Sequence, residues 1–216
     1  MKLINLFLEQ EKILVPRRSK EERQKNYLIA TQKKIQQYIK DGSKGDLNLG
    51  DTPINSLPDN LEVGGDLDLT GTPITLLPDN LKVVGNLYLY NTPITSLPDN
   101  LKVGGFLDLG GTPITSLPDN LEVRGYLYLS DTPITSLPDN LEVGGGLDLY
   151  RTPITSLPNN LQVGGTLDLR STPITSLPDN LEVRGNLNLR DTPISKKYTE
   201  QEIRQMVPGV GGEIFT

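Results

Sequence analysis

The chain has 216 residues, 27 Asp/Glu against 21 Lys/Arg for a formal net charge of −6, and neither cysteine nor histidine. Without thiols or imidazoles there can be no disulfide, no thiolate or imidazole metal site and no histidine-based hydrolase triad, so an enzyme is not expected. No apolar run approaches the roughly 20 residues needed to span a bilayer, so no membrane partner is expected either.

From the N-terminus, MKLINLFLEQ starts like a secretion signal, but its apolar patch is broken by Asn5 and ends at Glu9. It lacks the length and the small-residue cleavage site of a signal peptide. A cytoplasmic location is expected: a bacterial cell, a phage-infected cell, or a host cell if another route exports the chain. Residues 3–14 read as a short helical segment, which Pro16 separates from Ser19-Lys20-Glu21-Glu22. That tetrapeptide is a capping box, predicting a helix to about Lys40 with Tyr27, Ile35, Tyr38 and Ile39 as candidate apolar contacts. Residues 1–44 carry 11 Lys/Arg against 5 Asp/Glu, whereas the remainder carries 10 against 22. A basic N-terminal helical cap (1–44) thus precedes an acidic body. Lys33, Lys34 and Lys40 read as the solvated face of the cap helix rather than a nucleic-acid site.

Thr-Pro-Ile then recurs at 52, 72, 92, 112, 132, 152, 172 and 192, a period of 20 in eight copies, with TPITSLPDNL repeated letter for letter at 92, 112, 132 and 172. A period of this size predicts a solenoid, in which a unit buries its apolar side only by stacking on its neighbours. In one unit Leu67, Leu69, Ile74, Leu77, Leu81 and Val83 form the core, and the Leu-x-Leu alternation points Asp66, Asp68 and Thr70 outward. Gly45, Gly65, Gly85 and onward to Gly185 stand two residues before each strand, where positive φ is the expected need. Pro-Asn-type turns such as Pro78-Asp79-Asn80 allow a left-handed Asn. Two prolines per coil exclude a helix on the return path, which must be extended or polyproline-like. The Thr52-to-Thr192 ladder is expected to bond loop amides that the strands leave unpaired. At the C-terminus (196–216), Thr199-Glu200-Gln201-Glu202 opens a short capping helix with Ile203, Met206 and Val207 toward the last coil, and GEIFT adds a closing strand.

The pattern Leu-x-Leu-x-x-Thr-x-Ile-x-x-Leu-Pro over residues 45–195 resembles the leucine-rich repeat, Leu-x-Leu-x-x-Asn-x-Leu-x-x-Leu-Pro. Its period is similar to the short bacterial subtype of secreted effectors, with similar copies in gut-bacterial and phage genomes. The chain departs from that subtype in placing Thr at the ladder Asn and Asp-Asn-Leu-x-Val at the second Leu-Pro. The resemblance implies an α/β repeat: a right-handed leucine-rich-repeat solenoid of about eight 20-residue coils, with a parallel β-sheet on the concave face, an extended convex side, a helical N-terminal cap and a short C-terminal cap. Some such effectors carry a ubiquitin-ligase domain with a catalytic cysteine, and this chain has no cysteine. Fold alone names no function.

Between the fixed leucines three outward columns vary: Asp46, Asp66, Asn86, Phe106, Tyr126, Gly146, Thr166, Asn186; then Asn48, Asp68, Tyr88, Asp108, Tyr128, Asp148, Asp168, Asn188; then Gly50, Thr70, Tyr90, Gly110, Ser130, Tyr150, Arg170, Arg190. Six of the chain's eleven aromatic residues stand here, all in coils three to six. Tyr and Arg dominate protein interface energetics. The candidate partner-binding set is therefore Tyr88, Tyr90, Phe106, Asp108, Tyr126, Tyr128, Asp148, Tyr150, Arg151, Asp168, Arg170 and Arg190.

The expected function is a non-enzymatic protein-protein interaction module, monomeric, without cofactor or metal, its partner on the concave sheet. Carboxylate pairs such as Asp148/Asp168 and Asp46/Asp66 arise from repetition, so they carry no metal or glycosidase assignment. The alternatives are an acidic DNA mimic or anti-defence inhibitor of phage type acting on a basic host protein, a glycan-binding surface, and a purely structural repeat. Binding that collapses at moderate salt would mark the first, and capture on a glycan array the second.

Overall fold

A computed structural model describes residues 19–139 and 141–216; the helical segment expected at 3–14 lies outside them. Helix α1 (Lys20–Lys40) opens on the predicted capping box: the Ser19 hydroxyl accepts from Glu22 N–H and the Glu22 carboxylate from Ser19 N–H. It buries Thr31 and Ile35 against the first coil, with Leu28 and Tyr38 partly covered. Tyr27 and Ile39, expected to pack, are instead 50% and 44% exposed. The Thr31 hydroxyl donates to the Tyr27 carbonyl, which lets a polar residue occupy that buried turn.

Eight front strands follow at 20-residue intervals: Leu47–Asn48, Leu67–Asp68, Leu87–Tyr88, Leu107–Asp108, Leu127–Tyr128, Leu147–Asp148, Leu167–Asp168 and Leu187–Asn188. They pair in parallel, leucine on leucine, and Ile214–Phe215 closes the nine-stranded sheet beside Leu187–Asn188. A second parallel sheet, not anticipated from the sequence, joins seven strands from Glu62–Val63 to Glu182–Val183. Between them the Thr-Pro-Ile arms run extended without helix, as two prolines per coil require. The windings are thus seven complete turns, and the eighth turns into α2 (Pro193–Lys197), where Thr192 caps a helix that starts on proline. Then α3 (Glu200–Met206), with its own Thr199/Glu202 capping box, buries Ile203, and Val207 follows it into the core. Met206, expected inside, is 38% exposed.

Both leucines of every Leu-x-Leu point inward, and Leu69, Leu89, Leu109, Leu129, Leu149, Leu169 and Leu189 are wholly buried. Stacking explains the fixed glycines, and the explanation differs from the one expected. Of the ladder from Gly45 to Gly185 only Gly45 has positive φ. The later ones are needed for room: a Cβ at Gly85 would lie 2.7 Å from the carbonyl carbon of Gly65, and one at Gly185 2.7 Å from that of Gly165. Positive φ falls instead on the turn after each front strand, from Asp51 through Gly71, Asn91, Gly111, Asp131, Arg151 and Ser171 to Asp191. Among the described asparagines two residues after the second proline of each coil, only Asn60 and Asn160 adopt it.

The threonine ladder is buried throughout, and it also works differently from expectation. Each hydroxyl, from Thr52 to Thr192, donates to the carbonyl of the leucine three residues back at 2.5–2.8 Å, and only Thr192 also accepts from an amide, Ser195 N–H at 3.2 Å. A hydroxyl suffices for this bond because donor and acceptor belong to the same tight turn.

Candidate functional site

The nine-stranded sheet holds all three outward columns, and most of its polar letters are engaged by the backbone. In the second column Asp68 Oδ1 accepts from Thr70 N–H at 2.9 Å, Asp108 from Gly110 at 2.9 Å, Asp148 from Tyr150 at 2.8 Å and Asp168 from Arg170 at 3.0 Å. Asn48 and Asn188 make the same bond, to Gly50 and Arg190. In the first column the acceptor reaches the next coil: Asp46 Oδ1 to Asp66 N–H, Asp66 to Asn86 and Asn86 to Phe106, at 2.7–2.8 Å. These are side-chain caps on strand amides that the two-residue ladders leave over. Asp108, Asp148 and Asp168, read from the sequence as displayed acids, therefore each have a scaffold task.

The aromatic letters interrupt both ladders. Tyr88 and Tyr128 stand where Asp would accept an i+2 amide, and Phe106 and Tyr126 stand where Asp or Asn would cap the next coil. The Tyr88 hydroxyl accepts from the Asn86 amide at 3.1 Å, and the other three rings associate. Phe106 meets Tyr126 edge-on at 5.3 Å and Tyr128 at 6.4 Å, while Tyr126 and Tyr128 stack at 5.7 Å. Each such pair adds about 0.5–1.5 kcal/mol. Glycines accommodate the tilt: the Tyr126 ring lies across Gly146, where a Cβ would fall 2.5 Å from Cε1, and the Tyr90 ring lies across Gly110. Gly110 and Gly146 are buried on an otherwise exposed face, a role that reading the column letters did not find; the signal was a glycine one coil after a ring.

A second group lies toward the C-terminal end. The guanidinium carbons of Arg170 and Arg151 stand 5.1 and 5.7 Å from the Tyr150 ring centre. Arg170 also binds Asp168, Nη2 to Oδ2 at 2.6 Å and Nε to both oxygens at 2.9–3.0 Å, and this pairing raises its affinity for its proton. Arg151 reaches Asp131 at 3.6 Å. Arg190 is apart, 4.8 Å over Phe215 of the closing strand. Eleven of the twelve candidate residues therefore stand on one sheet face and Arg151 in the turn after it; they divide into the rings from Tyr88 to Tyr128 with Asp108 and Asp148 beside them, the Tyr150–Arg151–Asp168–Arg170 group, and Arg190.

Asp108 and Asp148 flank Tyr128 in register. Burial pushes both carboxyls above the usual carboxylate range, against the opposing pull of their bonded amides. Burial, with the neighbouring acids, also raises the Tyr128 hydroxyl. A carboxyl raised in the folded state costs stability when ionised, and that cost disappears as pH falls through the raised value. Asp108→Asn keeps the acceptor for Gly110 N–H, as Asn48 does for Gly50, and removes the charge. The variant is expected to be at least as stable as the parent at pH 7, with the difference vanishing below about pH 4. Denaturant midpoints at the two pH values check this, and a variant less stable at pH 7 would contradict it.

Among the described residues no group of three or more His, Cys, Asp or Glu is placed to hold a metal ion, and no helix is long and apolar enough to cross a membrane.

Two parallel sheets wound at 20 residues per coil, with leucines inside and helices at the ends, define a leucine-rich-repeat solenoid. Among solved structures it is similar to the leucine-rich-repeat domain of a Shigella effector, with TM-score 0.62 and 23% identity over 87% of this chain and 87% of that one. No protein-family model matches the chain, and no curated protein does.

Proposed function

We propose that the chain is a non-enzymatic protein-binding module whose partner lies on the nine-stranded sheet, across the rings of coils three to six. One observation carries this reading: at Tyr88, Phe106, Tyr126 and Tyr128 the scaffold's backbone-capping Asp or Asn is replaced by an aromatic ring. A fold that caps its amides this way at the other positions of these columns, Gly146 and Thr166 excepted, loses hydrogen bonds at those four positions, and the rings supply the anchors that dominate protein interfaces. Tyr90, Phe106 and Tyr126 remain more than a third exposed. The acids of the same face are largely occupied in capping, which favours ring-centred binding over a charge-driven DNA mimic.

Photo-crosslinking tests the location. Benzoylphenylalanine in place of Tyr90 or Phe106 is expected to capture one protein from the native cell or its host, identified by mass spectrometry. The same label at exposed Thr135, in the extended arm outside both sheets, is expected to capture none. Capture from Thr135 alone would overturn the reading.

A further inference from the structure

The sheet contains one arrangement twice, three coils apart. In the later copy Arg170 is held between the carboxylate of Asp168 and the ring of Tyr150. In the earlier copy Tyr90 takes the place of Tyr150 and Asp108 that of Asp168, but Gly110 stands where the arginine would be. The rest of the earlier copy is more aromatic: Tyr88 and Tyr128 flank Asp108 in register on either side. Asp108 uses Oδ1 to accept from Gly110 N–H, and no Lys or Arg among the described residues is within ion-pair distance of it. The sheet thus presents a carboxylate and a tyrosine, Asp108 and Tyr90, in the register that three coils later holds a guanidinium, with two further tyrosines where that copy has Asp148 and Asn188 and with glycine in place of the arginine.

We propose that Tyr88, Tyr90, Asp108 and Tyr128 receive an arginine side chain of the partner protein, paired with Asp108 and stacked on tyrosine as Arg170 is paired with Asp168 and stacked on Tyr150. This rests on the reading of the sheet as a protein-binding face and specifies the chemistry of the partner. Arginine fits better than lysine because its planar fork engages a carboxylate with two N–H groups while its face lies on a ring. The acidic body, 22 Asp/Glu against 10 Lys/Arg beyond residue 44, favours the approach of such a partner.

The glycine provides the test. Gly110 does not have positive φ, and an added Cβ would meet only side-chain atoms, Tyr90 Cδ2 at 3.1 Å, Asp108 Oδ1 at 3.2 Å and Ser130 Oγ at 3.4 Å. The equivalent positions carry Thr70, Ser130 and Arg170, so Gly110→Arg is expected to fold, which its amide NMR spectrum verifies. The probe is a labelled Gly-Arg-Gly-Arg-Gly peptide, with its uncharged citrulline counterpart as control, titrated into the full chain. The parent is expected to bind the arginine peptide with shifts centred on Asp108 and Gly110, and the citrulline peptide at least about tenfold more weakly. Gly110→Arg, which supplies the guanidinium from within the chain, and Asp108→Asn are each expected to lose about tenfold or more, while Thr135→Arg, which adds the same charge in the extended arm outside both sheets, stays within about twofold. No binding of either peptide, equal binding of both, or undiminished binding to folded Gly110→Arg would overturn the proposal. Should crosslinking at Tyr90 or Phe106 still capture a protein in that case, the binding face stands and only the arginine assignment falls.

Discussion

Leu129→Ala is expected to lower the unfolding free energy by about 2–5 kcal/mol. Leu129 is wholly buried in the fifth coil, between Leu109 and Leu149 of the neighbouring windings, which are buried to the same degree. Its carbonyl also accepts both the hydroxyl and the N–H of Thr132, at 2.7 and 3.2 Å, so the backbone there is fixed from two directions. Neighbours tied into register on both sides cannot collapse into the space that truncation leaves, and unrelaxed cavities cost most. In a solenoid the deficit falls at one interface between coils, so the weakened coil is also expected to split unfolding into two transitions. Urea denaturation followed by far-UV dichroism measures both. Leu76→Ala, which removes a side chain 63% exposed, is the matched control and is expected to change little. A Leu129→Ala loss under about 1 kcal/mol would contradict a sealed leucine core.

Gly145→Ala is the second large effect, and it acts on scaffold and display together. The added methyl would fall 2.7 Å from the carbonyl carbon and 2.8 Å from the carbonyl oxygen of Gly125, and 2.9 Å from Tyr126 Cδ2. Backbone cannot give way as a flexible side chain can, so the fifth and sixth coils must separate locally. The Gly145 N–H bond to Gly125, 2.9 Å long, is then strained. A destabilisation of about 1–3 kcal/mol is expected, the usual range for overpacking. The Tyr126–Tyr128 stack shifts with it, and thermal denaturation with tyrosine near-UV dichroism reports both changes. Gly110→Ser, whose three nearest Cβ contacts are side-chain atoms at 3.1–3.4 Å that can shift, is the contrasting case and is expected to cost less.

Much of this was legible in the letters, and the division has a physical cause. The 20-residue period, the inward leucines, both capping boxes and the closing Ile214–Phe215 strand are local patterns whose consequences stay within one coil or one helix. What was not legible depends on one coil lying against the next. The fixed glycine looks like a conformational need until the Gly65 carbonyl is found beneath Gly85. The acids of the second column look displayed until Asp108 is seen to hold Gly110 N–H. Tyr27 and Met206 follow helical spacing but stay exposed: Thr31 takes the buried turn of the first helix, and at the other end only Ile203 and Val207 of the three expected contacts are buried. Eleven of the twelve candidate residues stand on the face of a single sheet, Arg151 lies in the turn after it, and the six rings span coils three to six as its belt. The glycines that let those rings recline, Gly110 and Gly146, went unread because a missing side chain gives no motif.

The most direct measurement restores the ladder letters at the four interrupted positions: Tyr88→Asp, Phe106→Asn, Tyr126→Asn and Tyr128→Asp, each a residue already present in its own column. With far-UV dichroism confirming the solenoid, affinity of this variant for the protein captured through Tyr90 or Phe106 is measured against the parent. Rings kept for a partner predict a folded chain that has lost about tenfold or more in affinity. A folded variant that binds as tightly as the parent would show that the partner reads something other than the aromatic belt.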